Sequence, residues 1–103
     1  MNTTWASVFE HPDTDPSADR TVIDRAGQRT LLVPVADQAD APRVAKELVE
    51  REGVSLIELC GGFATATVAA VIAEVGDRVA VGHVTYSVDA IRPAAAYAEQ
   101  FTD

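Results

Sequence analysis

Short uninterrupted apolar runs alternate along the chain with longer stretches in which apolar residues recur every three or four positions. Continuous runs are typical of strands buried on both faces of a sheet, and the periodic stretches are typical of amphipathic helices. The runs that predict strands are residues 5–9, 30–35, 54–59 and 78–84. Proline cannot donate to a strand ladder, so Pro34 predicts that the second strand lies at a sheet edge or ends there.

A helix is predicted after each of these strands. For the first, Asp15 can cap the free amides, Pro16 suits the opening turn and Gly27 can end the helix, although residues 21–23 fit a strand equally well. The other predicted helices cover residues 39–52, the stretch from Thr65 or Thr67 to Val75, and the stretch after Arg92.

Alternation of strands and helices predicts the fold class. We expect a single α/β domain over residues 1–103, with a four-stranded, mainly parallel sheet and helices on both faces, in (βα)4 order. Four parallel strands leave two sheet edges exposed. A second copy of the chain can cover such an edge, so we expect a homo-oligomer.

Composition and charge narrow the functional classes. The chain has 103 residues, 48% apolar and 23% charged, as in an ordinary globular domain. Its 16 acidic and 8 basic residues leave a net charge of −8, which argues against nucleic acid and anionic membranes as partners. No apolar run approaches the roughly 20 residues of a spanning helix. The first residues do not resemble a signal peptide, and one cysteine cannot form an internal disulfide, so we expect a cytoplasmic protein.

Chemically useful side chains follow three of the predicted strands. The carboxyl ends of parallel strands lie on one side of a sheet, where α/β proteins bind their ligands. That side should carry both histidines, the only cysteine, a carboxylate from within a strand, two glycines and a tyrosine: His11, Glu58, Cys60, Gly61, Gly62, His83 and Tyr86. This convergence predicts a site for a small-molecule ligand.

Glu58 and His83 are candidates for acid–base chemistry. Glu58 interrupts an apolar strand, where a carboxylate loses hydration unless it is paired, and such a setting suits a general acid or base. The alternative is a structural acid that accepts loop amides or pairs with arginine. If the last two strands are neighbours, His83 lies near Glu58, and a carboxylate beside an imidazole is a common catalytic pair. The alternative for His83 is a ring whose hydrogen bonds are satisfied by backbone carbonyls.

The turn after the third predicted strand carries the other candidates. Cys60 precedes two glycines and a predicted helix, so its thiol is a candidate nucleophile, with a small buried apolar residue as the alternative. Gly61 and Gly62 let the backbone approach a ligand. Tyr86 can donate to a developing oxyanion or simply pack, and His11 lies in a polar loop.

Neither a metal nor an organic cofactor is expected. The two histidines, Glu58 and Cys60 are metal-binding residue types, but no H-x-x-x-H or C-x-x-C spacing supports a metal site. The glycine patterns G-x-G-x-x-G and Walker A, which bind nucleotides, do not occur.

Residues 56–63 read Leu-Ile-Glu-Leu-Cys-Gly-Gly-Phe and, with residues 78–82, resemble a family of small, mostly uncharacterised bacterial α/β proteins. Residues 13–23 are similar to the first loop and helix of that family. The family is a domain of unknown function, so the resemblance implies an α/β fold and little about activity. The chain differs at Ala64, where the family has glycine, and at His83, where a small apolar residue is usual.

We therefore predict a small cofactor-independent enzyme that catalyses the isomerisation or cyclisation of a carbonyl or carboxylate metabolite, or an elimination reaction on it. Glu58 and His83 would exchange protons, the Gly61 and Gly62 amides would hold negative charge, and Cys60 would assist. This mechanism requires Glu58 and His83 within hydrogen-bond reach, directly or through a substrate. The alternatives are a non-catalytic binding or accessory protein, and an assembly module whose 58–63 turn packs against a partner chain.

Overall fold

A computed structural model describes residues 3–101 of the chain. One sheet contains five strands: β1 (Thr3–Glu10), β2 (Thr21–Arg25), β3 (Gln28–Val35), β4 (Leu56–Leu59) and β5 (Ala80–His83). The three α-helices of the described range are α1 (Ala41–Glu52), α2 (Thr65–Val75) and α3 (Ile91–Glu99). Short 3₁₀ turns at Gln38–Asp40 and Val88–Ala90 precede α1 and α3.

The sheet is mostly parallel, as predicted, but it has one strand more than predicted. Its order is β2-β3-β1-β4-β5, with β3, β1, β4 and β5 parallel and β2 antiparallel to β3. The prediction of four strands in (βα)4 order is therefore wrong, because the segment after β1 returns as a strand. The pairing of β2 with β3 ends at Leu32, so Pro34 has a strand neighbour only on its β1 side.

Residues 15–27 do not form the predicted helix. Asp15 Oδ1 accepts the Ser17 and Ala18 amides at 2.8 and 2.9 Å, as a helix cap would. These amides, that of Ala18 first, hold the pKa of the Asp15 carboxyl below its ordinary value of 3.8. The turn continues no further as helix, and β2 pairs with β3 through the two-residue turn Ala26-Gly27 instead. Gly27 closes a hairpin where the sequence predicted a helix end.

The core lies between one face of the sheet and helices α1 and α2. Buried side chains alternate along β1, β3 and β4, and they contact buried residues of the two helices in a single cluster. The sheet contributes Ala6, Val8, Leu31, Val33, Val35, Ile57 and Leu59, and the helices contribute Ala41, Val44, Ala45, Leu48, Val71 and Val75. No polar or charged residue among residues 3–101 is buried.

The opposite face of the sheet, called here the open sheet face, is not covered by a helix of the described chain. It is formed by the other alternating set, Trp5, Ser7, Phe9, Ile23, Thr30, Leu32, Leu56, Glu58 and Gly82. Trp5, Phe9 and Leu32 are half-buried, whereas Leu56 is 39% exposed. Helix α3 has no buried residue. The prediction of helices on both faces is therefore not met within residues 3–101.

A cluster of ion pairs connects α1 to two other parts of the chain. Arg20 joins it to the segment before β2, and Arg29 joins it to β3. Arg20 Nη2 lies 3.2 Å from Glu47 Oε2, and Arg29 Nη2 lies 2.6 Å from Glu52 Oε1. The Arg20 side chain is only 12% exposed, and its Nε donates to the Pro16 carbonyl at 2.8 Å. These contacts hold the 15–20 turn on the outer side of α1.

The longest helix in the described range, α1, has 12 residues. None of the helices within residues 3–101 has the length and apolar character needed to cross a bilayer.

Candidate functional site

The carboxyl ends of the four parallel strands meet at one edge of the sheet, called here the carboxyl-end rim. Backbone hydrogen bonds of 2.9–3.0 Å join these ends, from His11 N to Val35 O, Cys60 N to Val8 O and Val84 N to Leu59 O. They place the predicted site segments after β1, β4 and β5 along a common rim, where α/β sheets bind ligands.

Tyr86 lies directly against the Cys60–Gly62 turn. A Cβ atom on Gly61 would stand 2.9 Å from Tyr86 Oη and 3.0 Å from its Cε2, so the ring occupies space that any other residue at position 61 would need. The ring is 56% exposed, which leaves part of it facing solvent. The half-buried Cys60 thiol sits in the same turn, and its Sγ accepts the Gly62 amide at 3.5 Å.

The structure does not bring Glu58 and His83 together as an acid–base pair. Glu58 pairs with Gly82 in the β4–β5 ladder, and His83 pairs with Leu59. Paired residues of parallel strands share a face, and successive residues alternate. Glu58 therefore lies on the open sheet face, whereas His83 lies on the face of the buried Leu59. Both side chains are exposed, and neither hydrogen-bonds to another group within residues 3–101.

His11 lies on the rim but is engaged with its own loop. Its Nδ1 donates to the Pro12 carbonyl at 3.0 Å, and its carbonyl accepts the Thr14 hydroxyl at 2.7 Å. A carbonyl oxygen can only accept, so Nδ1 is the donor in this contact. The side chain is exposed, as the polar sequence around it predicted.

Gln38 is a rim residue that sequence reasoning missed. Its backbone amide donates to Glu10 Oε2 at 2.7 Å. Its side-chain Oε1 accepts the Ala64 backbone amide at 2.8 Å and the Thr67 hydroxyl at 2.7 Å. Gln38 thus connects the end of β1 to the beginning of α2. Its partners are 26 to 29 residues away in the sequence, so no local pattern could have revealed it.

No three histidine, cysteine, aspartate or glutamate side chains in the described range are grouped so that they could hold a metal ion. A cleft of about 140 Å³ lies away from the rim, between the 15–20 turn and α1, with Arg20, Arg43 and Glu47 among its walls. It is smaller than the roughly 300 Å³ at which ligand pockets begin. A second cleft, of about 350 Å³, lies on the charged surface of α1, with Lys46 and Glu50 among its walls. Neither cleft contains a predicted site residue, and the rim is the candidate site because the strand ends that carry the predicted residues meet there.

The sequence pattern of DUF6506, a family of unknown function, matches residues 3–99. The chain belongs to this family. The match confirms the predicted resemblance to an uncharacterised family, and it includes the rim and α3. Comparison with curated proteins and with solved structures gave no match. Membership in DUF6506 assigns no chemistry to the rim, so the function must be argued from its residues.

Proposed function

We propose that the chain is a non-catalytic protein that binds a small carbonyl or carboxylate compound at the carboxyl-end rim. The observation that carries the proposal is the position of Tyr86 against Gly61, beside the half-buried thiol of Cys60. A phenol hydroxyl donates well to a carbonyl or carboxylate oxygen. A turn of two glycines allows close approach of a ligand to the backbone.

The charge of the chain restricts the compounds that fit this site. A net charge of −8 repels anions, and residues 58–64 and 84–88, which flank the Cys60–Gly62 turn and Tyr86 in the sequence, contain no lysine or arginine. Directed donors such as the Tyr86 hydroxyl must therefore supply the attraction. This favours a neutral carbonyl compound or a monocarboxylate over a phosphorylated one. We also propose that the protein acts in the cytoplasm.

The two tyrosines of the chain provide a matched test. A collection of small ketones, 2-oxo acids and monocarboxylates is screened by thermal shift, and the best compound is titrated by calorimetry. Tyr86→Phe removes one hydroxyl and keeps the ring, so we expect Kd to rise about threefold to tenfold, as for one lost hydrogen bond. Tyr97→Phe should leave Kd unchanged. Absence of binding by every compound, or an equal effect of both substitutions, would contradict the proposal.

Acid–base catalysis is the second candidate, and the exposed carboxylate of Glu58 favours it. Since no hydrogen bond or ion pair within residues 3–101 occupies that carboxylate, a substrate on the open sheet face can reach it. His83 lies on the other face of the sheet, so its imidazole could reach such a substrate only around the carboxyl end of β5. The bound compound is incubated with the protein and followed by NMR. Conversion that is lost in Glu58→Gln supports an isomerase, cyclase or lyase, and an unchanged compound supports binding alone.

A further inference from the structure

The segment of residues 84–101, which contains α3, contacts the rest of the protein at its beginning, where Val84 N donates to Leu59 O and the Tyr86 ring lies against Gly61, and it is largely exposed beyond that point. Within it, only Ala90 and Ala94 are half-buried, and every other residue is exposed. The main neighbour of α3 is the 3₁₀ turn Val88–Ala90 that precedes it. A helix with no buried residue gains little stability from packing, and isolated helices shorter than about 12 residues are marginal in water.

One side of α3 is apolar and uncovered. At 100° per residue, Ile91 and Tyr97 fall on one side of the helix, with Phe101 of the turn that follows it, and Arg92 and Glu99 fall on the other. The three apolar side chains are 58%, 63% and 68% exposed, and the rings of Tyr97 and Phe101 lie 5.1 Å apart. Such a stripe is typical of a helix that packs against an apolar surface.

The open sheet face offers a surface of matching character. Within residues 3–101, ten large apolar side chains are exposed, and eight of them lie on the open sheet face or in the 84–101 segment: Ile23, Leu56, Val84, Tyr86, Val88, Ile91, Tyr97 and Phe101. All-parallel sheets occur almost only with both faces covered, and four of the five strands described here are parallel. Helices α1 and α2 cover one face, so α3 is the helix left to cover the other.

The chain exposes more surface than a compact monomer of its mass, and the excess is comparable with one side of a protein interface. The chain exposes 6754 Å², about 1,200 Å² more than the roughly 5,600 Å² expected for a folded monomer of its 10.9 kDa mass. A standard protein interface takes about 800 Å² from each partner. The radius of gyration of 14.1 Å also exceeds the roughly 12.8 Å of a compact chain of this length.

We propose that two copies form a two-fold dimer in which the 84–101 segment of each copy covers the open sheet face of the other. The apolar side of α3 would lie on the surface formed by Trp5, Leu32 and Leu56. A reciprocal exchange covers both unpartnered surfaces at once and gives the sheet its second helical layer. This inference concerns association of the chain and does not depend on the ligand proposed for the rim, but such a dimer would restrict access of a substrate to Glu58 on the open sheet face.

The test compares substitutions on the two surfaces with neighbours that face away. Tyr97→Lys alters the apolar side of α3, and Ala96→Lys alters its polar side. Ile23→Lys alters the open sheet face, and Val22→Lys alters the opposite face of the same strand, with similar exposures of 50% and 45% at the native residues. Lysine makes the net charge less negative, so added repulsion between copies cannot explain dissociation.

Light scattering after gel filtration and sedimentation equilibrium give the mass, and circular dichroism confirms that each variant is folded. We expect the native chain at twice 10.9 kDa. Tyr97→Lys and Ile23→Lys should each raise the dimer dissociation constant at least about tenfold, because each places a charge in the apolar contact. The two control variants should stay dimeric. A native monomer, or a dimer that tolerates both Tyr97→Lys and Ile23→Lys, overturns the proposal.

Mixing the two dissociated variants tests the reciprocal arrangement itself. In a mixed pair, the intact 84–101 segment of the Ile23→Lys chain meets the intact sheet face of the Tyr97→Lys chain, so one of the two contacts is restored. We expect the mixture to form dimers that neither variant forms alone at the same concentration. Face-to-face association of two sheets has no contact to restore, so a mixture that stays monomeric contradicts the exchange.

Discussion

Gly53 shows how a single backbone angle ends a helix. It follows α1 with φ of 69°, and its amide donates to the Leu48 carbonyl. A Cβ atom at this position would meet no atom within 4 Å, so the requirement for glycine is purely conformational. The sequence predicted this helix end correctly, because the left-handed angle at the end of a helix is a local property of the residue type.

Substitution of Gly53 isolates that conformational cost. We expect Gly53→Ala to lower the free energy of unfolding by about 1 kcal/mol, since a side chain at a left-handed angle strains the backbone. Gly53→Asn should cost less, because asparagine adopts this angle more readily. Urea unfolding of the native chain and both variants measures the difference. Equal losses for alanine and asparagine would point to a cause other than the backbone angle.

At the scale of elements, the β2–β3 hairpin is the largest departure from the predicted fold. Its turn holds Ala26 at φ of 56° and Gly27 at φ of 78°. Turns with both central angles positive match the twist of paired strands and favour Asn-Gly over Ala-Gly. Because alanine stands at the first position, the sequence lacked the usual hairpin signal. Asp15 and Gly27 resembled the two ends of a helix instead.

The same turn offers a stabilising substitution. We expect Ala26→Asn to raise the free energy of unfolding by about 0.5–1 kcal/mol, because asparagine tolerates the left-handed angle that strains alanine. Ala26→Val is the matched opposite, since a β-branched residue at this angle should destabilise the hairpin. Thermal or urea unfolding compares the three chains. A loss of stability on Ala26→Asn would contradict a left-handed turn at Ala26 between β2 and β3.

The remaining elements follow the sequence closely. The apolar runs at residues 5–9, 30–35, 54–59 and 78–84 correspond to β1, β3, β4 and β5, and the periodic stretches correspond to α1, α2 and α3. Periodicity succeeds here because each of these elements except α3 presents a side to the core. It fails at residues 21–25, which are exposed throughout and are held by pairing with β3 alone.

At the scale of the whole molecule, association has a thermodynamic consequence. If folded chains dimerise and unfolded chains do not, raising the chain concentration shifts the equilibrium toward the folded dimer. We expect the midpoint of thermal unfolding to rise with concentration for the native chain and for Ala96→Lys. It should be independent of concentration for Tyr97→Lys. Calorimetry at several concentrations measures this, and a native midpoint that does not move would contradict a dimer at those concentrations.

The sequence by itself determined the α/β class, most of the elements and the strand ends at which polar residues collect. These features follow from residue type and spacing, which act over a few neighbouring positions. Only the tertiary structure decided the strand register, which puts Glu58 and His83 on opposite faces of the sheet. It also decided the contacts of Gln38 and the uncovered sheet face. These depend on residues far apart in the chain, whose meeting no local pattern encodes.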